Sequence, residues 1–407
     1  MNCRHCGTNL ENVFLDLAFA PPSNSYLNPT DLQKPEVYYP LRVMVCHNCW
    51  LVQTEDYAKA EVFFNSDYAY FSSTSLSWLA HAKEYADKMI ADLHLNAQSK
   101  VVEIASNDGY LLKNFLQAGI PCLGIEPTKS TALEAEKLGI PVLQEFFTES
   151  MGSSLANKQG KADLIIGNNV YAHVPDINDF TKGLKTLLRN DGTITLEFPH
   201  LLSLLRFIQF DTIYHEHFSY LSLYTVSKIF LSAGLRIWKV DEIPTHGGSI
   251  RIYGCHTEDQ RQDDPSVQRI LDIENANGLQ DILTYTGFQT KVDTIKYNLL
   301  NFLLEQKKDN KRIIAYGAAA KGNTLLNYAG VRADLLPVVY DAAPAKQFKF
   351  MPGSHIPILP AEQIFQDSAD YLLILPWNIA DEVKKQLAPL QERGIKFIIA
   401  VPQLSVV

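Results

Sequence analysis

The chain has 407 residues, 46% of them hydrophobic and 20% charged, enough for two to four folded domains at roughly 100–200 residues each. Its 36 Lys and Arg against 45 Asp and Glu leave a net charge of −9, which argues against general binding to nucleic-acid phosphates. No apolar run nears the about 20 residues that cross a bilayer, and the start lacks a basic-then-apolar signal, so a cytoplasmic protein with no membrane partner is expected.

Residues 1–55 hold short strand-like pieces and turn formers such as Ala20-Pro21-Pro22-Ser23-Asn24. So small a segment buries little core and needs a staple. Cys3/Cys6 and Cys46/Cys49 form two Cys-x-x-Cys knuckles, the spacing of a four-sulfur structural zinc, and Gly7 lets the first turn close. Paired redox dithiols are the alternative, but those usually follow a strand in a thioredoxin-like pattern. With four sulfurs bound, His5 and His47 point elsewhere. Six cysteines are too few for a disulfide scaffold, and Cys122 and Cys255 sit in apolar strand-like runs as small hydrophobes.

Residues 56–96 read as a helical linker that contributes to the active site. Phe63 to Ser75 is rich in aromatics and hydroxyls, and Leu76 to Leu93 has helical periodicity. From 97 to 260 strands and helices alternate. Strands are expected at Lys100–Ala105, Pro121–Glu126, Val142–Leu143, Ala162–Gly167 and Gly192–Phe198, with helices at Tyr110–Ala118 and Ser130–Lys137. Leu235–Ile243 and Ser249–Cys255 make a closing hairpin. Residues 261–308 form a polar helical connector. A second alternating unit fills 309–407, with strands at Arg312–Gly317, Leu336–Tyr340, Tyr371–Leu375 and Phe397–Val401 and a helix at Asp381–Leu390. The fold class is α/β, two parallel sheets with helices on both faces behind a small zinc module.

The stretch Val101-Val-Glu-Ile-Ala-Ser-Asn-Asp-Gly-Tyr110 ends a strand in Glu103 and opens a helix through Ser106, Asn107, Asp108 and Gly109. Ligands bind at such carboxyl ends. One glycine among acids and amides departs from Gly-x-Gly-x-x-Gly, and carboxylates repel a pyrophosphate. They suit a cationic ligand without phosphate, and S-adenosylmethionine is one. Glu126 ends the second strand, where it can accept ribose hydroxyls, and Asn168 and Asn169 end the fourth.

Histidines gather near the same edge. His173 and His200 follow the fourth and fifth strands, His246-Gly-Gly-Ser-Ile-Arg251 turns the hairpin, and Tyr214-His-Glu-His-Phe-Ser-Tyr220 lies in an insertion. Any one of them alone is more often structural. A Tyr-x-Glu-His cluster beside a methyl donor suggests proton transfer, since a neighbouring carboxylate can orient the imidazole. Metal binding by His215 and His217 ranks lower, because no third ligand is evident. Gly317-Ala-Ala-Ala-Lys-Gly-Asn-Thr324 resembles a phosphate loop with Asn323 in the lysine place, which disfavours ATP hydrolysis. Lys321 can still meet a diphosphate. Asp341 mimics a dinucleotide ribose acid, although an empty Rossmann-like scaffold is preferred to an NAD site.

Together with Tyr68-Ala-Tyr-Phe-Ser-Ser73, these motifs span essentially the whole chain and resemble the sugar C-methyltransferases of deoxysugar biosynthesis. That resemblance implies a zinc module, a central S-adenosylmethionine domain and a last Rossmann-like domain. It implies methylation of carbon 3, or sometimes carbon 5, of a nucleotide-linked 4-keto-6-deoxyhexose bound between the central and last domains. It casts His217 as the base, with Glu216, Tyr214, His173 and Tyr68 or Tyr70 around the reacting carbon. His246, Arg251, Lys321 and Asn323 are the candidate substrate contacts. An enolate next to the ketone would be held by a tyrosine hydroxyl or His173. An NAD-dependent sugar oxidoreductase, a zinc scaffold without activity, and transfer to oxygen or nitrogen are the competing readings. A monomer or weak homo-oligomer is expected.

Overall fold

The computed structural model of the protein describes residues 1–57, 71–74 and 76–407. Its strands are β1 (Asn12–Ala20), β2 (Tyr39–Val45), β3 (Val52–Thr54), β4 (Val101–Ile104), β5 (Cys122–Ile125), β6 (Val142–Leu143), β7 (Ala162–Asn168), β8 (Leu188–Pro199), β9 (Ser219–Tyr220), β10 (Leu235–Ile243), β11 (Ser249–His256), β12 (Ile313–Tyr316), β13 (Val339–Asp341), β14 (Ile358–Pro360), β15 (Tyr371–Ile374), β16 (Lys396–Ile399) and β17 (Ser405–Val406). They form three sheets, ordered β1-β2-β3-β9, β10-β11-β8-β7-β4-β5-β6 and β14-β13-β12-β15-β16-β17.

In the middle sheet β4 to β8 run parallel, and only β11 opposes its neighbours. The near-continuous apolar runs of β4 and β7 suit strands covered on both faces. The flanking helices are set by their caps. Asp176 accepts from Asp179 N to start Ile177–Leu187, which buries Ile177, Phe180, Leu184 and Leu187 against the sheet. Ser222 accepts from Thr225 N to start Leu223–Ser232. Each such cap adds about 1 kcal/mol.

One hydrophobic core joins the first sheet to the last. Phe14 of β1 stacks on Phe288 at 4.7 Å and meets Tyr285 edge-on at 5.6 Å. The stretch 261–308 is therefore helical as expected, but it is also core: Val292, Ile295, Leu299 and Leu303 of the helix Phe288–Lys308 are all buried. The single helix expected at Asp381–Leu390 is two, Ala380–Gln386 and Ala388–Glu392. Pro389 explains the break, since it lacks the N–H that a continuing helix would use. The helix expected from Tyr110 starts at Leu112, because Gly109 and the residues before it turn tightly. Among the described residues no helix is long and apolar enough to cross a membrane.

Candidate active site and zinc centre

Cys3 Sγ lies 3.5 Å from Cys49 Sγ and Cys6 Sγ 3.5 Å from Cys46 Sγ, and all four sulfurs fall within 4.8 Å of one another. A tetrahedral zinc with bonds of about 2.3 Å sets its sulfurs about 3.8 Å apart, so the four thiolates fit that ion. Gly7 N donates to Cys3 O at 3.0 Å and Trp50 N to Cys46 O at 2.9 Å, closing the knuckles. Both closing residues are left-handed, with φ of 74° at Gly7 and 63° at Trp50. Glycine takes that conformation freely, and Trp50 does so at some strain. His5 stays outside the sulfur set and meets Asn178 Oδ1 at 2.8 Å, while His47 is exposed. Four sulfurs leave no open position for a substrate, so this zinc is structural.

The methyl-donor edge is built where β4 and β7 lie side by side. Ala105, Asn107 and Gly109 have φ of 57°, 51° and 76°, a tightly wound loop. A Cβ on Gly109 would sit 2.5 Å from Ile140 Cδ1, so no side chain fits there. Glu126, at the end of β5, accepts from Asn107 N at 2.9 Å and Thr128 N at 2.8 Å. Ser72 N donates to Asn107 Oδ1 at 3.0 Å and Ser73 N to Asp108 Oδ2 at 3.1 Å, which ties the aromatic segment to this loop. Tyr68 and Tyr70 lie outside the described residues.

Glu103 Oε2, Ser106 Oγ, Asp108 Oδ1 and the side-chain amides of Asn168 and Asn169 are buried without hydrogen-bond partners among the described residues. Unmet polar atoms cost about 1–3 kcal/mol each, and their gathering at one sheet edge marks a surface made for a ligand. Burial, then the charges of Asp108 and Glu126, push the Glu103 carboxyl well above the usual range. An acidic, amide-rich edge fits the cationic S-adenosylmethionine, whose amino acid and ribose carry donors to match.

The histidine cluster joins His173, just past β7, to His217 in the insertion after β8. His217 Nδ1 donates to Thr212 O at 2.8 Å, which leaves the lone pair on Nε2. His173 Nδ1 donates to Glu216 O at 2.8 Å in the same way. The two rings lie 4.6 Å apart at 68°, and Tyr214 lies over His217 at 4.0 Å. Burial, then the neighbouring His173, push His217 well below the ordinary histidine value. Burial brings His173 down to about 4. The Glu216 carboxylate accepts from Asn24 Nδ2 at 3.0 Å, with burial raising it to about 7.

Not every expected residue joins this cluster. His200 Nε2 instead meets Glu274 Oε1 at 2.6 Å, and Glu274 also accepts from Leu223 N and Tyr224 N. That pair starts a helix behind the sheet. His215 Nε2 donates to Pro40 O at 3.2 Å, a structural contact and no metal ligand set. Arg251 Nη2 donates to Glu197 Oε2 at 2.8 Å and its guanidinium lies 4.6 Å over the Tyr85 ring. Asn323 Nδ2 donates to Ser23 O at 2.7 Å, tying the last domain to the first module. His246 has a left-handed φ of 54° and meets Trp78 edge-on at 5.4 Å.

The last domain brings Lys321 to the same cleft. Its ammonium donates to Asn378 Oδ1 at 2.9 Å and lies 4.7 Å over the Trp377 ring, whose Nε1 donates to Asp211 Oδ2 at 2.6 Å. Burial lowers Lys321 to about 8 and raises Asp211 to about 6. Sequence reasoning missed Asp211 and Asn24, and it missed His81 and Glu197, the partners of Arg251. His81 Nε2 lies 3.0 and 3.1 Å from the two Glu197 oxygens. The signal for Glu197 was present: it is the lone acid in the apolar run Thr193-Ile-Thr-Leu-Glu-Phe198.

A zinc knuckle module, a mostly parallel sheet with one opposed strand, and an acidic, amide-rich strand edge are the features of an S-adenosylmethionine-dependent methyltransferase. Family models match in three segments: a zinc binding domain at residues 3–64, a methyltransferase domain at 78–240 and a C-methyltransferase C-terminal domain at 244–402. The C-methyltransferase NovU of Streptomyces niveus is 33% identical over 405 residues, spanning 100% of this chain and 96% of that one. Among solved structures, magnesium protoporphyrin IX methyltransferase from Synechocystis PCC 6803 with bound SAH is similar over 44% of this chain and 83% of its own, at 17% identity and a TM-score of 0.34. An S-adenosylmethionine-dependent methyltransferase from Clostridium acetobutylicum ATCC 824 covers 44% and 92%, at 11% identity and a TM-score of 0.35. The chain belongs to the C-methyltransferase family represented by NovU, and it is an S-adenosylmethionine-dependent enzyme that transfers methyl to carbon.

Proposed function

We propose that the acceptor is carbon 3 of a nucleotide-linked 4-keto-6-deoxyhexose and that His217 is the base that activates it. The observation that carries this reading is the hydrogen bond from His217 Nδ1 to Thr212 O, which leaves Nε2 unprotonated as the basic nitrogen. A carbon beside a ketone loses its proton when the enolate oxygen is stabilised. His217 Nε2 takes that proton, and burial keeps the ring neutral and ready at pH 7. Neutral His173 spends its one N–H on Glu216 O, so its other nitrogen is an acceptor. The donor to the enolate oxygen is then a tyrosine hydroxyl, with the Tyr214 ring nearest His217 among the described tyrosines. S-adenosylmethionine supplies the electrophilic methyl group. Glu126 and the loop Ser106–Gly109 orient it, and holding both reactants in line supplies much of the rate.

Lys321, with its charge beside His246 and Asp211, faces the diphosphate side of the sugar nucleotide in this reading. Arg251 and Asn323 shape the cleft through Glu197 and Ser23. The same reading keeps the boundaries 1–55, 56–96, 97–260, 261–308 and 309–407, with the connector serving also as core. The test is methyl transfer followed by mass spectrometry, with purified protein, S-adenosylmethionine and a panel of dTDP-, GDP- and CDP-linked 4-keto-6-deoxyhexoses deuterated at carbon 3. Gain of a methyl with loss of that deuterium identifies carbon 3. Gain with the deuterium kept moves the acceptor to another atom, and no gain on any sugar overturns the substrate class.

A further inference from the structure

The zinc module meets the loop of the base through the strand that carries Gln53 and Thr54. β9, only two residues beyond His217, completes the zinc-module sheet: Val52 pairs with Tyr220 and Gln53 with Ser219. Thr54 then makes two bonds to the catalytic loop itself. Its Oγ1 donates to His217 O at 3.2 Å, and its N donates to Phe218 O at 3.2 Å. Thr54 is 3% exposed, so water does not compete for these groups.

One residue back, Gln53 bridges the same strand to the metal ligands. Its Nε2 donates to Cys3 Sγ at 3.2 Å, and its Oε1 accepts from Arg4 N at 3.0 Å, inside the first knuckle. Outer contacts to a metal-bound sulfur orient the ligand set. The chain of contacts from Cys3 through Gln53 and Thr54 to His217 is thus continuous. The imidazole itself is held by Thr212 O, so the residue is fixed at its backbone by Thr54 and at its ring by Thr212. A rotation of the His217 peptide would swing Nε2, and proton transfer is sensitive to such displacement.

We propose that Thr54 is a positioning residue for His217, and that its hydroxyl is the element by which the zinc module sets the base. This rests on the reading of His217 as the base. The role predicts an effect on turnover with little effect on binding, because Thr54 touches neither ligand edge.

The experiment compares Thr54→Val, which keeps shape and loses the hydroxyl, with Thr54→Ser, which keeps the hydroxyl. Both are assayed zinc-loaded, with metal content measured. Expected for Thr54→Val is a kcat lower by roughly 3–10-fold. KM for both substrates and zinc content stay at wild-type values, and hydrogen exchange is faster at the 214–218 amides. Thr54→Ser restores both kcat and exchange. Thr54→Ala takes the place of Thr54→Val, with the same readouts, if valine prevents folding. Wild-type kcat in Thr54→Val, or an equal fall in Thr54→Ser, overturns the proposal. His217→Asn is run alongside: if it turns over normally, the base assignment itself falls, whereas an inactive His217→Asn with an unimpaired Thr54→Val removes only the role of Thr54.

Discussion

Thr212 O accepts the Nδ1 proton of His217 at 2.8 Å, and that single bond decides which ring nitrogen keeps its lone pair. With Nδ1 occupied, asparagine at 217 can keep a donor to Thr212 but has no basic atom to replace Nε2. His217→Asn should lower kcat by about 10²–10⁴-fold, the usual share of a general base. It should also abolish solvent-deuterium exchange at the sugar's carbon 3 when S-adenosylhomocysteine replaces the methyl donor. Exchange that persists in the variant would assign the proton to another group.

The cluster predicts an unusual acid limb. An ordinary histidine is half protonated near pH 6.5, but burial holds His217 well below that. A plot of kcat against pH should therefore stay flat down through pH 6.5. Stability behaves differently on the two sides. His173 falls from 6.5 to about 4 in the fold, so its contribution is intact above 6.5 and is lost as pH drops toward 4. Glu216 rises from 4.5 to about 7, so its contribution is intact below 4.5 and is lost as pH climbs through 7. Glu216→Gln should flatten the fall of Tm between pH 5 and 8, measured by calorimetry.

Removing the Glu126 carboxylate takes away the contact proposed for the ribose and leaves Asn107 N and Thr128 N without an acceptor. Glu126→Ala should weaken S-adenosylhomocysteine binding by about 10–100-fold, read by titration calorimetry. Equal affinity in the variant would place the ribose elsewhere.

Glu197 sits fully buried between His81 and Arg251. Glu197→Ala leaves the Arg251 charge without its counter-ion and should cost about 3 kcal/mol of stability in denaturant unfolding. Glu197→Ala with unchanged unfolding would mean that the trio carries no strain of burial.

Zinc removal should separate the two halves of the site. The four sulfurs hold the sheet that carries β9, whereas the donor edge hangs from β4, β5 and β7. Chelation should therefore abolish turnover while S-adenosylhomocysteine binding persists. Loss of both together would show that the sheets do not fold apart.

Much of this was legible in the residues. The knuckle spacing gave the zinc ligands, and Glu103, Asp108, Glu126 and Asn168 converged as their places at strand ends require. The alternation of apolar runs located the inner strands of both larger sheets to within a few residues, but the short edge strands β14 and β17 escaped it because two or three residues show no period. What stayed hidden depends on contacts between distant segments. His200 reads like His173 in sequence, and only the position of Glu274 makes it structural. Asn24 and Thr54 carry no motif, and they matter because the chain returns to them some 160 residues or more later. The polar look of 261–308 concealed one apolar stripe, Val292, Ile295, Leu299 and Leu303, which fills a shared core.

The pairing of Val52 with Tyr220 also sets an order of events during synthesis, since 168 positions (220 − 52) separate the partners. At about 5–20 residues per second, a ribosome delivers the second strand roughly 10–30 s after the first. For that interval the outer edge of β3 has no neighbour, and an open strand edge invites pairing with the wrong chain. Cells making this protein have reason to load the metal early, because a stapled knuckle holds three strands ready while the fourth is still being translated.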